Sequence, residues 1–254
     1  MNLHLSVMSL NVNGSKDPAG ALHRLRLVAA RSAQADARIL LLQEVPASLG
    51  AQLGEIFPGM EPTTWANEVT EGEPPQPMGL VTLTNLSVQE PGRVSFRNPE
   101  LTSTRGGTTL ASHDKGALLT TLIADPSGPE IIVVNLHALP FYLFDVPDDG
   151  DLVGSIWKAF GAELVLELDR PVAPAPATPV LVGGDFNLSD RSAVETALAG
   201  LDLRSTFCHV ATRPSGGRTD DVYVSTEAVT SDASVEDVGS DHYLLRLELE
   251  LALS

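Results

Sequence analysis

Hydrophobic and polar positions alternate with period two along several short segments of the chain, and most of these segments stop on a polar cluster. Leu3, Leu5 and Val7 alternate with His4, Ser6 and Met8, the pattern of a half-buried strand, which runs out at Leu10-Asn11-Val12-Asn13-Gly14. Arg38 to Leu42 is the next buried strand and delivers Gln43-Glu44. Gly79 to Asn85 alternates as a strand, and Lys115-Gly116 opens another through Ile123. The β-branched run Ile131-Ile132-Val133-Val134 ends in Asn135-Leu136-His137. Pro179 to Val182 suits a strand covered on both faces; it halts on Gly183-Gly184 and then presents Asp185 and Asn187. Arg218 to Ser225 predicts a strand with Asp220 and Asp221 at its mouth. Leu245, Leu247, Leu249 and Leu251 alternate with Arg246, Glu248 and Glu250, a one-sided strand expected to close the sheet.

Helical spacing occupies fewer segments. After the turn Lys16-Asp17-Pro18, apolar residues recur at helical intervals from Ala21 to Ala35. Ala47 to Phe57 and Leu152 to Leu168 predict further helices, and Asp190 to Ala199 another with Ser189 as its cap. Glu61 to Pro77 and Arg93 to Gly107 read as surface loops, the first holding Trp65, which pins the loop or stacks on a substrate base. Asp145 to Asp151 superficially resembles a calcium loop, but Pro147 and Ile156 stand where ligands belong, so it reads as an acidic turn. Pro171 to Thr178 is a short Pro/Ala connector.

Composition narrows the picture. With 254 residues, 43% of them hydrophobic and only 5% aromatic, the chain has the aliphatic interior of a folded protein, and one domain over 1–254 is expected. No apolar run approaches the ~18 residues of a membrane span, and the N-terminus lacks the basic region of a signal peptide, so a cytoplasmic location is expected. Cys208, the one cysteine, excludes an internal disulfide and reads as a small buried hydrophobe. The net charge of -17 repels polyanions and weighs against non-specific duplex binding, which needs many Lys and Arg contacts. Arg93, Arg97, Arg105 and Lys115 are the cations best placed to steer a phosphate.

Taken in order, Ser9-Leu10-Asn11-Val12-Asn13-Gly14, Leu42-Gln43-Glu44-Val45, Val134-Asn135-Leu136-His137, Gly184-Asp185-Phe186-Asn187, Arg218-Thr219-Asp220 and Gly239-Ser240-Asp241-His242 resemble the endonuclease/exonuclease/phosphatase superfamily. The resemblance implies a four-layer α/β/β/α sandwich of two mixed β-sheets flanked by helices, DNase I-like, with the site at one rim. It implies Mg²⁺, with Mn²⁺ as an alternative, held by Glu44, Asn11 and Asp241. It further implies that Asp185 orients or deprotonates the attacking water, that Asn187 and His137 donate to phosphoryl oxygens, and that His242 is oriented by Asp220. Asp221 competes with Asp220 for that place, and either Asp185 or His242 is the base.

The activity so implied is hydrolysis of a phosphoester, a phosphodiester in preference, on a small molecule or short nucleic acid, with no membrane and no obligate protein partner. A nuclease, a phosphomonoesterase and a binding module with a decayed site are the alternatives. A serine hydrolase lacks its Gly-x-Ser-x-Gly elbow here, and a zinc enzyme its clustered His and Cys.

Overall fold

Period-two alternation sends one set of each strand's aliphatic side chains between two sheets and the other set beneath helices. The computed structural model describes residues 2–69, 75–89, 91–124, 130–168 and 178–252. In chain order its main elements are β1 (Asn2–Asn11), α1 (Pro18–Gln34), β2 (Ile39–Pro46), α2 (Leu53–Ile56), β3 (Glu61–Val69) and β4 (Pro77–Thr84). There follow β5 (Ser87–Val88), β6 (Gly92–Ser95), β7 (Thr102–Arg105), β8 (Thr108–Ala111), β9 (Gly116–Ile123) and β10 (Glu130–His137). The remainder comprises α3 (Asp151–Leu168), β11 (Val180–Asp185), α4 (Ser192–Leu198), β12 (Leu203–Ser205), β13 (Asp220–Ser225), β14 (Ala228–Glu236) and β15 (Leu244–Ala252).

One sheet has the order β14-β15-β1-β2-β4-β3 and the other β12-β13-β11-β10-β9-β5, with β6 also on β9 and β7-β8 a separate hairpin. Each sheet is mixed: β1 and β2 are parallel, as are β10 and β11, and their other neighbours are antiparallel. Leu5, Val7, Ile39 and Leu41 meet Ile131, Val133, Leu181 and Val222 in the core between the sheets. The opposite face of the first sheet buries Met8, Leu10, Leu40 and Leu42 under Ala21, Leu25 and Val28 of α1. Trp157, Phe160 and Leu164 of α3 cover Val134, Leu136 and Val182 on the second. The result is the expected four-layer α/β/β/α sandwich. Among the described residues no helix is long and apolar enough to cross a membrane.

Several local expectations are corrected. Glu61 to Val69 is a strand, not a loop: it lies at a sheet edge, so most of its side chains are exposed or half-exposed and it has no continuous apolar face. Residues 70–74 of that expected loop, and 171–177 of the connector, lie outside the described residues. The Arg93 to Gly107 loop contains β6 and β7. The last strand does not close its sheet; β14, whose pattern is largely exposed, takes the edge and β15 sits between it and β1. The 47–57 helix is a 3₁₀ segment, Ala47–Gln52, followed by a single α turn. Ser189 does not cap α4: Asp190 Oδ1 accepts from Ser192 N at 2.8 Å, while Ser189 N donates to Asp148 Oδ2. Cys208 is half-buried rather than buried.

Gly183-Gly184 lets the two sheets and two strands approach closely. A Cβ on Gly183 would meet Leu41 Cδ1 of the facing sheet at 2.7 Å. Gly184 has a φ of +139°, and a Cβ there would fall 2.0 Å from the backbone oxygen of Leu136 on β10. Gly184→Ala is therefore expected to cost about 3 kcal/mol or more in a urea titration. Gly183→Ala should cost less, since a leucine side-chain end can shift. A midpoint for Gly184→Ala equal to wild type would show that close approach to β10 is not what this glycine secures.

Candidate active site

The inward-facing positions of the central strands turn from apolar to polar at one rim. Along β1 they run Leu5, Val7, then Asn11; along β2 Ile39, Leu41, then Gln43; along β10 Ile131, Val133, then Asn135 and His137. On β11 Leu181 leads through Gly183 to Asp185, and β13, antiparallel to it, brings Asp220 opposite Asp185. Gln43 Nε2 donates to Asn135 Oδ1 at 2.7 Å, joining the sheets beneath this rim. Glu44 departs from the alternation. It has a φ of +54°, inside a register shift between Leu42 and Val45, and this bulge turns the carboxylate to the same rim.

There Asn11 Nδ2 donates to Glu44 Oε1 at 3.1 Å and to Asp185 Oδ2 at 3.0 Å. Ser15 N donates to Glu44 Oε2, Asn13 N to Asn11 Oδ1, and Asn187 N to Asp185 Oδ1. His242 Nδ1 lies 2.8 Å from Asp220 Oδ1, leaving Nε2 directed at Asp185 Oδ2, 3.6 Å away. Thr212 Oγ1 and Thr219 Oγ1 both donate to Asp220 Oδ2. Burial works against a charged imidazole, but the carboxylates of Asp220 and Asp185 and the hydrogen bond to Asp220 outweigh it and lift the His242 pKa to about 9.

His137 is buried on the same face, its Nε2 3.8 Å from Glu44 Oε1 and 3.7 Å from Asp185 Oδ2. Its Nδ1 lies 3.0 Å from Glu68 Oε1, and Glu68 Oε2 accepts from Lys115 Nζ at 2.6 Å. Burial alone would raise the Glu68 pKa, yet the neighbouring His137 and Lys115 hold it at about 2.

The structure thus brings Asn11, Glu44, His137, Asp185, Asp220 and His242 together. Asn187 sits beside them with its Nδ2 donating to Ala138 O. Asp241 has Oδ1 at 3.9 Å from His242 Nε2. Asn13 reaches the cluster through its backbone N–H. Asp221 faces the other way, accepting from Ser205 Oγ and the N–H groups of Thr206, Phe207 and Val222. Of the steering cations, Arg93, Arg97 and Arg105 are exposed, with Arg105 paired to Asp145, while Lys115 is buried. Trp65 packs on Gly116 with Arg93 over its ring, and so pins β3. Sequence reasoning missed Glu68, Thr212 and Arg213, the last donating to Asp241 Oδ2 at 3.1 Å. Glu68 and Lys115 are 47 residues apart, and Thr212 and Arg213 sit in a loop of turn-forming residues, so no local pattern marks any of them.

A hard divalent cation suits these donors. Asn11 Nδ2 is a neutral amide set between two carboxylates and neutralises neither. Asp241 Oδ1 is buried without a hydrogen-bond partner. Asp185, Asp220 and His242 also offer ligand atoms within 4.8 Å of one another, although Asp220 is already engaged with His242 Nδ1.

A two-sheet sandwich with carboxylates, amides and two histidines converging on one rim is a DNase I-like architecture. The chain belongs to the endonuclease/exonuclease/phosphatase family, whose pattern it matches over residues 8–242. No curated protein matches it in sequence. Among solved structures it is similar to an endonuclease/exonuclease/phosphatase family protein from Bacteroides thetaiotaomicron, at 17% identity and TM-score 0.70, covering 100% of this chain and 97% of that one. A mannosyl-6-phosphatase from the same species aligns at 16% identity and TM-score 0.69, covering 96% and 99%. The human Nocturnin catalytic domain with bound sulfate aligns at 18% identity and TM-score 0.68, covering 100% and 97%.

The Glu68 cluster generates a pH prediction. A carboxylate whose pKa falls from 4.5 to about 2 on folding contributes stability above about pH 4.5 and loses it as the pH falls towards 2. Glu68→Gln leaves Lys115 buried without its carboxylate and is expected to destabilise by about 3–5 kcal/mol at pH 7. The gap to wild type should narrow below about pH 4.5; a gap that stays constant down to the acid limit would contradict the charged pair.

Proposed function

We propose that this chain is a Mg²⁺-dependent phosphohydrolase that cleaves a phosphoester, preferentially a phosphodiester of a small molecule or short nucleic acid, by direct in-line attack of water. The observation that supports it most is His242, held at Nδ1 by Asp220 and aimed through Nε2 at Asp185, across Asn11 from Glu44. Glu44, Asn11 and Asp241 would hold the cation. When bound it supplies charge neutralisation for the phosphoryl group.

The chain's own side chains divide the remaining work. His242, kept protonated by its carboxylate neighbours, donates to a phosphoryl oxygen. Asp185 Oδ1 accepts from Asn187 N and Oδ2 from Asn11 Nδ2; Oδ2, which also faces His242 Nε2 and His137 Nε2, is the oxygen that orients the water and takes its proton. His137, oriented through Nδ1 by Glu68, presents Nε2 to the same space, and Asn187 has one amide hydrogen beyond that given to Ala138 O. The net charge of -17 favours a small substrate over a long duplex.

The test is a parallel assay with Mg²⁺, with and without EDTA, on supercoiled plasmid, single-stranded RNA, bis-(p-nitrophenyl) phosphate and p-nitrophenyl phosphate. EDTA-sensitive cleavage of the small diester is expected. Cutting of plasmid or RNA instead would make the chain a nuclease, and release from the monoester alone a phosphomonoesterase. His242→Ala should lower kcat by about 100-fold or more with folding intact, and Glu44→Gln should raise the Mg²⁺ concentration needed for half-maximal rate. Near-full activity in either purified variant would sink the assignment.

A further inference from the structure

Asp241 is gripped from one side only. Arg213 Nη2 donates to its Oδ2 at 3.1 Å, and Arg213 Nε to its backbone oxygen at 3.3 Å, so one guanidinium fork holds both the side chain and the main chain of the same residue. The other carboxylate oxygen, Oδ1, is buried, has no hydrogen-bond partner and lies 3.9 Å from His242 Nε2. A buried carboxylate oxygen without a donor is costly in water-excluded surroundings and is the kind of atom a cation would satisfy.

The loop behind this grip is itself fastened to the site. Thr212 N and Arg213 N both donate to Gly217 O, at 2.9 and 3.1 Å, and Gly216 N returns a bond to Arg213 O at 2.9 Å. The turn is completed by Gly216 at a φ of +85°. Tyr243 N donates to Thr212 O at 2.7 Å, and Thr212 Oγ1 donates to Asp220 Oδ2 at 2.9 Å. Adjacent residues of one strap therefore hold the partner of His242 on one side and Asp241 on the other.

We infer that Arg213 is a positioning residue for divalent-cation binding: by holding Asp241 at two points it keeps Oδ1 turned into the site as a ligand. The inference rests on the metal-dependent reading above. It carries a sign that separates it from simple electrostatics. A positive charge beside a cation site repels the cation, so removing it by Coulomb's law alone tightens binding. Removing a residue that orients a ligand weakens binding, typically by about 10- to 100-fold. Lys16 provides the contrast within the same protein: its Nζ lies 3.6 Å from Asp241 Oδ2 on a half-exposed side chain.

The experiment measures Mn²⁺ affinity of the full chain without substrate, by electron paramagnetic resonance of free Mn²⁺, for wild type, Arg213→Met, Asp241→Asn, the double variant and Lys16→Met. Arg213→Met is expected to weaken Mn²⁺ binding about 10-fold or more, the double variant to match Asp241→Asn alone, and Lys16→Met to bind as tightly as wild type or more tightly. Such non-additivity is the signature of Arg213 acting through Asp241. Mn²⁺ binding by Arg213→Met equal to or tighter than wild type overturns the inference, and so does a double variant whose losses add. If Arg213→Met does not give the wild-type circular dichroism spectrum, Asp241→Asn breaks the grip from the other end, and undiminished Mn²⁺ affinity there overturns the inference too. A wild type that binds no Mn²⁺, or whose binding is indifferent to both Glu44→Gln and Asp241→Asn, removes the metal-dependent reading itself and the inference with it.

Discussion

Carboxylates crowded into the space between two sheets are the constraint on which this structure depends. Glu44, Asp185 and Asp220 stand at one rim with Asn11, whose Nδ2 is shared between the first two. Charges so placed are tolerable only where each oxygen is answered by a fixed donor. The backbone N–H groups of Ser15 and Asn187, the hydroxyls of Thr212 and Thr219, and the His242 imidazole supply those answers.

The apolar interior makes the crowding possible. The faces that meet between the sheets are aliphatic for most of their length, with Thr82, Thr84 and Thr120 buried among them, and the ionisable and amide side chains gather where the parallel strands end. The site thus costs the core little. The Glu44 bulge is the departure that adds a carboxylate to the set, because strict alternation would have sent that side chain towards α1. The Gln43–Asn135 bridge then fixes the spacing of the sheets directly beneath.

Most of the layer structure was legible because it rests on alternation. Leu5-Val7, Ile131-Val133 and Leu245 to Leu251 announce their strands by period alone, and the polar residues that close those runs announced the site. Adjacent acids were harder. The motif's register favours Asp220 over Asp221 without excluding the second, and the pairing of β13 against β11 sends Asp220 to His242 and Asp221 to Ser205 and Phe207 on the opposite face. The edge strands β3 and β14 escaped because exposed strands carry no apolar stripe. Glu68, Lys115, Thr212 and Arg213 escaped for a different reason, since their meaning lies in contacts made across the fold.

The placing of β15 between β14 and β1 bears on how the protein comes into being. Asn2 pairs with Ala252, so β1 stays unpaired on that side until β15 has been made. Contacts closing so long a loop form late and slowly. Asp241 and His242 immediately precede β15, so the polar rim is drawn together by the same event that joins β15 to β1. Until β15 is in place the rim holds Asn11, Glu44, His137, Asp185 and Asp220 without His242, so a completed rim also reports a completed sheet.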